Sequence, residues 1–176
     1  VDRRSEAVRR FWEDGEFDSR SNVQFGEGGA GTFSDGKLTT RVNHPLLRQI
    51  TQKLVEAGAP KEILYAYNPH IGTDVLRAVV QNLRREIERL GGEVRFESCL
   101  TDLITDENGS LKAVVVNGNE RIETEGLILG IGHSARDTYR MLYDRKVYLE
   151  KKAFAVGVRI EHDQKVIDRA QYGCDA

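Results

Sequence analysis

The most regular hydrophobic pattern in the chain runs from residue 73 to residue 90. Leu76, Val79, Val80, Leu83, Ile87 and Leu90 fall at offsets of 3, 4, 7, 11 and 14, which predicts an amphipathic helix. Thr73 suits its N-cap, Asp74 suits the positive end of its dipole, and Gly91-Gly92 supplies a left-handed stop. Val94 and Phe96 then alternate as in a short strand, and helix, glycine turn and strand together resemble one arm of a parallel α/β unit. Upstream, Val8, Phe11 and Trp12 share one face of a helix over 5–14 that Ser5 could cap. A further helix starts at Pro45, with Asn43 or His44 near its cap and Gly58 at its end. Leu47, Ile50, Leu54 and Ala57 form its inner face.

After residue 98 the period shortens. Leu100–Thr105, Leu111–Val116 and residues 121–125 read as strands separated by Asn108-Gly109 and Asn117-Gly118, the strongest short hairpin signal. They predict a β-meander over 99–125. Residues 126–132, GLILGIG, are a continuous apolar run of the buried-strand kind. Residues 136–145 read as a helix, and residues 153–160, AFAVGVRI, as one more strand.

Residues 15–43 show no sustained period beyond a brief strand-like Val23–Phe25. A loop this long in a folded domain is usually functional or disordered, and Phe25, Phe33 and Leu38 argue against disorder. Five of the eleven residues 26–36 are glycine, which exceeds the need of a turn and leaves backbone amides uncovered for an anionic or planar ligand. Within them Gly26, Gly28 and Gly31 match the GxGxxG spacing. The dinucleotide fingerprint also needs a strand before it, a helix opening on its last glycine and an acid some 20 residues on. That context is missing, so an orthodox pyrophosphate turn is disfavoured.

Composition limits the remaining choices. The 176 residues suit one domain with a real core, and 31% charged and 39% hydrophobic residues mark a soluble globular chain. A net charge of −2 offers no general field for nucleic acid, and none is expected as a partner. The arginines at 3, 4, 9, 10, 84, 85 and 89 interleave with acids and read as solvated helix faces. Cys99 and Cys174 form no CxxC and read as reduced thiols of a cytoplasmic protein. No apolar run approaches the roughly 20 residues of a membrane span, and the first residues, VDRRSEAVRRFW, lack a signal-peptide core. The absence of an initiator Met suggests a piece of something longer, or a tag remnant. The scattered His44, His70, His133 and His162 offer no metal-ligand spacing, so no metal site is expected.

A second chemical candidate is GIGHSARDT, residues 130–138, where strand, Gly-x-Ser and helix resemble a nucleophile elbow at Ser134. Arg136 occupies the position that needs a small residue, and only His162 follows as a base. A serine hydrolase is therefore a remote alternative to a strand-to-helix turn whose glycines serve packing.

Three segments together resemble a known family: NVQFGEGGAGTFSDGKLTTR, NPHIGTDVLRAVVQNLRREIERLGGEVRF and LILGIGHSARDTYRMLYDRKVYLEKKAFAVGVRIEH. They are similar to FAD-dependent dehydrogenases, flavoproteins of the glutathione-reductase-like FAD/NAD(P)-binding superfamily, from about Phe11 to Gly173. The resemblance implies an α/β fold: a partial Rossmann-like FAD-binding domain over 1–150, carrying the β-meander, and the start of a second, substrate domain over 151–176. It implies that the first βαβ unit, with the true fingerprint, lies upstream of the residues present here. It implies that Gly26, Gly28, Gly29, Gly31 and Thr32 lie along FAD, with Ser34, Asp35 and Lys37 nearer the flavin ring and Lys37 beside flavin N1/O2. Cys99 and Leu100 correspond to the backbone that meets the adenine, and Gly130, Gly132 and His133 to a second glycine cluster near the diphosphate. FAD would carry the redox step, with NAD(P)H as candidate electron donor, and the protein would bind and orient it. This piece alone would hold FAD weakly or not at all. No catalytic residue or substrate is implied. The rival reading is a non-catalytic binding or oligomerisation domain that self-associates through exposed sheet edges.

Overall fold

The computed structural model describes residues 1–33, 36–38, 40, 43–158 and 160–174. Its first half is helical. The period read from the sequence forms α1 (Asp2–Asp14), α2 (Leu46–Glu56) and α3 (Thr73–Arg89), with 3-10 turns at Ala30–Phe33 and Lys61–Leu64. Ala59, Ile63, Ile71 and Val79 make the buried core of this half, and Leu38, Leu54, Val55, Ala57, Leu76 and Leu83 pack around it. Leu54 and Ala57 are thus where the α2 pattern put them, whereas Ile50 is exposed because α2 is covered on a narrower stripe. On α1 the buried residues are Arg4, Ala7 and Val8. Trp12 stands outside and meets Phe11 edge-on at 5.1 Å.

Three local expectations change. Ser5 does not cap α1; it lies inside the helix and donates its hydroxyl to the Val1 carbonyl at 3.2 Å. Thr73 is the first helical residue of α3, and the cap position belongs to Gly72 with no side-chain cap bond. Residues 23–25 and 94–96 are not strands, because neither stretch has a neighbouring strand to pair with. At α2 the cap expectation holds in part: Pro45 is the N-cap, and His44 Nδ1 accepts from the Leu46 amide at 3.2 Å.

The second half is built on the meander. β1 (Leu100–Thr105), β2 (Leu111–Val116) and β3 (Glu120–Glu123) form one antiparallel sheet in the order β1-β2-β3. Leu103 faces Val114, and Val114 faces Ile122. Both Asn-Gly pairs sit in the connections. Asp106 Oδ1 accepts from the Asn108 and Ser110 amides at 3.0 and 2.9 Å and so holds the first turn. Ala113, Val114 and Val116 are buried on β2. α4 (Arg136–Asp144) buries Thr138 and Leu142 and packs against β1, and Arg145 at its end donates twice to the Asp102 carboxylate. That guanidinium holds the Asp102 carboxyl below the ordinary carboxylate range. The two halves touch where Arg3 donates to Glu97 at 2.9 Å and where Arg84 lies over the Phe96 ring.

The class is therefore mixed helix and strand, and the sheet among the described residues is antiparallel. The apolar run 126–132 does not form the expected buried strand. Leu127, Ile128 and Leu129 are exposed, Ile128 at 98%, and no described segment pairs with them. Residues 153–160 are likewise unpaired where described, with Phe154, Val156, Val158 and Ile160 exposed. A strand needs a neighbour to satisfy its amides and cover its side chains. A helix the sequence reading missed, α5 (Gln164–Tyr172), follows and is capped by Asp163, which accepts from the Lys165 amide. No described helix is long and apolar enough to cross a membrane.

Val79→Ala should cost about 1–3 kcal/mol in chemical denaturation, since Val79 is wholly buried, whereas Ile128→Ala should stay within about 0.5 kcal/mol. The Asp102–Arg145 pair should give an acid-side signature. Because the folded carboxyl titrates below its unfolded value, its contribution is whole at neutral pH and is lost as pH falls through the folded value. Asp102→Asn should therefore lower stability slightly at pH 7 and flatten the acid limb of a stability-against-pH curve.

Candidate functional site

The glycine-rich loop is organised from its inside. Arg4 projects from α1 into the centre of residues 22–29 and is 2% exposed. Its Nε donates to the Asn22 carbonyl at 2.8 Å, and its Nη2 to the Val23 carbonyl at 3.1 Å. Its Nη1 points at the carbonyls of Gly26, Glu27 and Gly29 at 3.3, 2.9 and 2.7 Å. Asn22 closes the start of the loop: its Oδ1 accepts from the Gln24 and Phe25 amides, and its Nδ2 donates to the Asp18 carbonyl. Arg4 is thus the residue that the surface reading of the arginines missed. The available signal was its position one turn before Ala7 and Val8 on the apolar face of α1.

The 3-10 turn at Ala30–Phe33 then packs on α3. Phe33 has the guanidinium carbons of Arg4 and Arg77 at 4.6 and 4.8 Å from its ring centroid. Among the described residues neither of these guanidinium groups meets a carboxylate. Arg84, two helical turns on from Arg77, does: its Nε lies 2.9 Å from Glu27 Oε1, although the pair is not aligned as a hydrogen bond. Burial pushes the Arg4 pKa down from its ordinary value, yet a guanidinium remains charged. Among the described residues Arg4 is met by peptide carbonyls, while the loop's own carboxylate, Glu27, pairs with the Val1 amino group and lies beside Arg84.

The glycines divide into two pairs. A Cβ on Gly26 would lie 2.5 Å from Arg4 Cδ, and one on Gly28 would lie 2.1 Å from Thr32 Oγ1. Both are glycine because something packs on them from inside, and both have positive φ. A Cβ on Gly29 or Gly31 would meet open space. Thr32 itself is wholly buried, and its hydroxyl has no partner among the described residues. Residues 28–31 are exposed, and the amides of Gly28 and Ala30 donate to no described acceptor. Carbonyls inward and amides outward make this edge suited to an anion.

The remaining sequence-derived candidates are spread along the chain. Ser34 and Asp35 lie outside the described residues. Lys37 forms an isolated antiparallel bridge with His70, which pins the end of the loop beside the start of α3. Leu38 donates to the Pro69 carbonyl at 2.9 Å, and Ile71 to the Gly36 carbonyl at 3.0 Å. The Cys99 amide and carbonyl are both taken by Asn117, and Leu100 opens β1 opposite Val116. Gly130 and Gly132 are exposed ahead of α4, and the Gly132 carbonyl accepts from the Tyr139 hydroxyl at 3.1 Å. His133 Nε2 lies 3.3 Å from the neighbouring Ser134 hydroxyl, the sole polar partner seen for that hydroxyl among the described residues. The glycine loop belongs to the α1–α3 half, and the 130–133 cluster to the sheet–α4 half.

Gly28→Ala should destabilise the chain by about 1–3 kcal/mol, because it combines positive φ with the clash on Thr32. Gly31→Ala should fall within about 1 kcal/mol of the parent and tend to stabilise it, since its φ is not positive and its Cβ position is empty. Denaturation curves of the two variants check this contrast.

No family model matches the chain. It is 56% identical over 173 residues to an uncharacterized protein of Clostridium beijerinckii. The match takes in 98% of this chain and 32% of the relative, so the chain spans about a third of the length of the curated relative it matches.

Proposed function

We propose that the chain is the cofactor-facing part of an FAD-dependent oxidoreductase, and that its glycine-rich loop lies along the FAD diphosphate. One observation carries the reading: on the exposed 28–31 edge the amides of Gly28 and Ala30 meet no described acceptor, and they lie near the Arg4 and Arg77 guanidinium groups, which meet no carboxylate among the described residues. Such an edge favours a phosphate group over a neutral or cationic ligand. Gly29 and Gly31 are the points of closest backbone approach, since nothing occupies their Cβ directions. Thr32 supports the loop from within, and Lys37 is the candidate for the flavin end. Cys99 and Leu100 on the adenine side, and Gly130, Gly132 and His133 as a second diphosphate cluster, remain part of the proposal. FAD when bound supplies the redox chemistry; this chain binds and orients it.

The finer fold is part of the same reading. The exposed apolar runs 126–132 and 153–160 would be strands of a Rossmann-like sheet that additional polypeptide completes. The threefold greater length of the Clostridium relative supports this. The same runs favour one rival, a non-catalytic oligomerisation unit whose exposed strands pair between copies. The cofactor separates the two.

Purification of the Clostridium beijerinckii relative and its visible absorption spectrum make the test. A flavin band released by denaturation is expected in the relative, while the 176-residue chain, lacking the rest of the binding site, should purify colourless. A relative that purifies without flavin and fails to take up added FAD would remove the oxidoreductase reading. One equivalent of flavin on the 176-residue chain would refute the claim that the rest of the site is needed.

A further inference from the structure

Polypeptide loops rich in glycine have no intrinsic preference for turning amides rather than carbonyls toward solvent. In residues 22–29 that choice is made by one side chain. Five carbonyls, those of Asn22, Val23, Gly26, Glu27 and Gly29, converge on the Arg4 guanidinium. A peptide unit whose carbonyl points inward presents its N–H on the opposite side. The outward amides of Gly28 and Ala30 follow on from the peptide carbonyls of Glu27 and Gly29, both held by Arg4 Nη1. The cation is buried and has no carboxylate partner among the described residues, so the field it adds at the loop surface is only partly offset by the dipoles it gathers. Thr32 gives an independent sign that the region is arranged around something not yet satisfied: its hydroxyl is fully buried, has no partner among the described residues and lies against Gly28.

We propose that Arg4 is a positioning residue for ligand binding: it turns the 26–31 loop so that an amide edge faces outward and makes that edge selective for a phosphate-bearing ligand. Arg4 does not touch the ligand. Gly26 is the complement of this role, since a side chain there would displace the Arg4 stem. The inference rests on the reading of the loop as the diphosphate contact, and it adds the residue that sets the loop's polarity.

The test compares ADP with adenosine on the 176-residue chain, by following backbone amides in NMR titrations. ADP should move the Gly28 and Ala30 amides and bind more tightly than adenosine. Arg4→Ala should reduce the ADP preference roughly tenfold or more, the scale expected when a charge-assisted hydrogen-bond set is removed. Arg4→Lys keeps the charge without the planar fork, so it should retain part of that preference. Unmoved amides of Val114 and Ile122 in β2 and β3 report that the sheet is intact. Should Arg4→Ala fail to fold, the comparison of Arg4→Lys with Gly31→Ala decides. The lysine variant loses part of the ADP preference, by more than about twofold, through the loop's polarity, and the alanine variant loses it through a methyl on an otherwise unchanged edge. A merely structural arginine would weaken adenosine and ADP alike.

The proposal is overturned if ADP leaves the loop amides in place, or if the variants at Arg4 keep the parent's ADP preference within about twofold, a change smaller than one charge-assisted hydrogen bond contributes. The outcomes also separate it from the flavin reading. A loop that takes ADP through Arg4, in a protein whose longer relative has no flavin, leaves Arg4's role standing and removes FAD. A flavin-bearing relative with an unchanged ADP preference in the Arg4 variants does the reverse.

Discussion

A buried guanidinium must find acceptors, and Arg4 finds them in the backbone of one loop. Its three nitrogens meet five carbonyls and impose a shape on residues 22–29 that no regular secondary structure supplies. The consequences spread outward. Gly26 has no side chain because Arg4 passes over it, and the Phe33 ring lies against the guanidinium groups of Arg4 and Arg77. The turn that carries Phe33 packs on α3, whose Val79 is the most deeply buried side chain of the core. The loop is therefore as much a part of the α1–α3 packing as the helices are, despite lacking their periodicity.

Elements set by local rules were legible in the sequence. The α3 period, the Pro45 start of α2 and the two Asn-Gly turns all depend on neighbours a few residues away, and all formed. What needed a distant partner was not legible. The runs at 126–132 and 153–160 carry the composition of buried strands, but composition does not bring a second strand alongside. Arg4 was hidden for a different reason. Among Arg3, Arg9 and Arg10 it has the same letters as a solvated face, and only its place beside Ala7 and Val8 marks it as inward. α5 offered little more than a capping Asp163 before Val166 and Ile167, too short a pattern to separate from a loop.

The exposed apolar runs bear on how the chain is used. Ile128, Phe154, Val156 and Val158 sit almost wholly in solvent on extended backbone, a costly arrangement for a polypeptide in water. Among the described residues the interior is modest: one buried cluster of four residues at α2 and α3, and buried residues along β2 and α4. Much of the exposed apolar surface thus lies on these two extended segments, with Trp12, Phe17, Tyr65 and Tyr67 adding to it in the helical half.

The packing of the loop bears on the GxGxxG letters. In a dinucleotide fold those glycines answer to the ligand, to a tight turn and to helix packing. Here Gly26 answers to Arg4 and Gly28 to Thr32, both inward constraints. Gly29, which the spacing pattern does not include, is one of the two that face open space, and Gly31 is the other. The motif spacing therefore coincides with a packing requirement at two of its three positions. The property that suits the loop to an anion comes from the direction of its peptide units, which Arg4 sets from a helix 18 to 25 residues earlier in the chain.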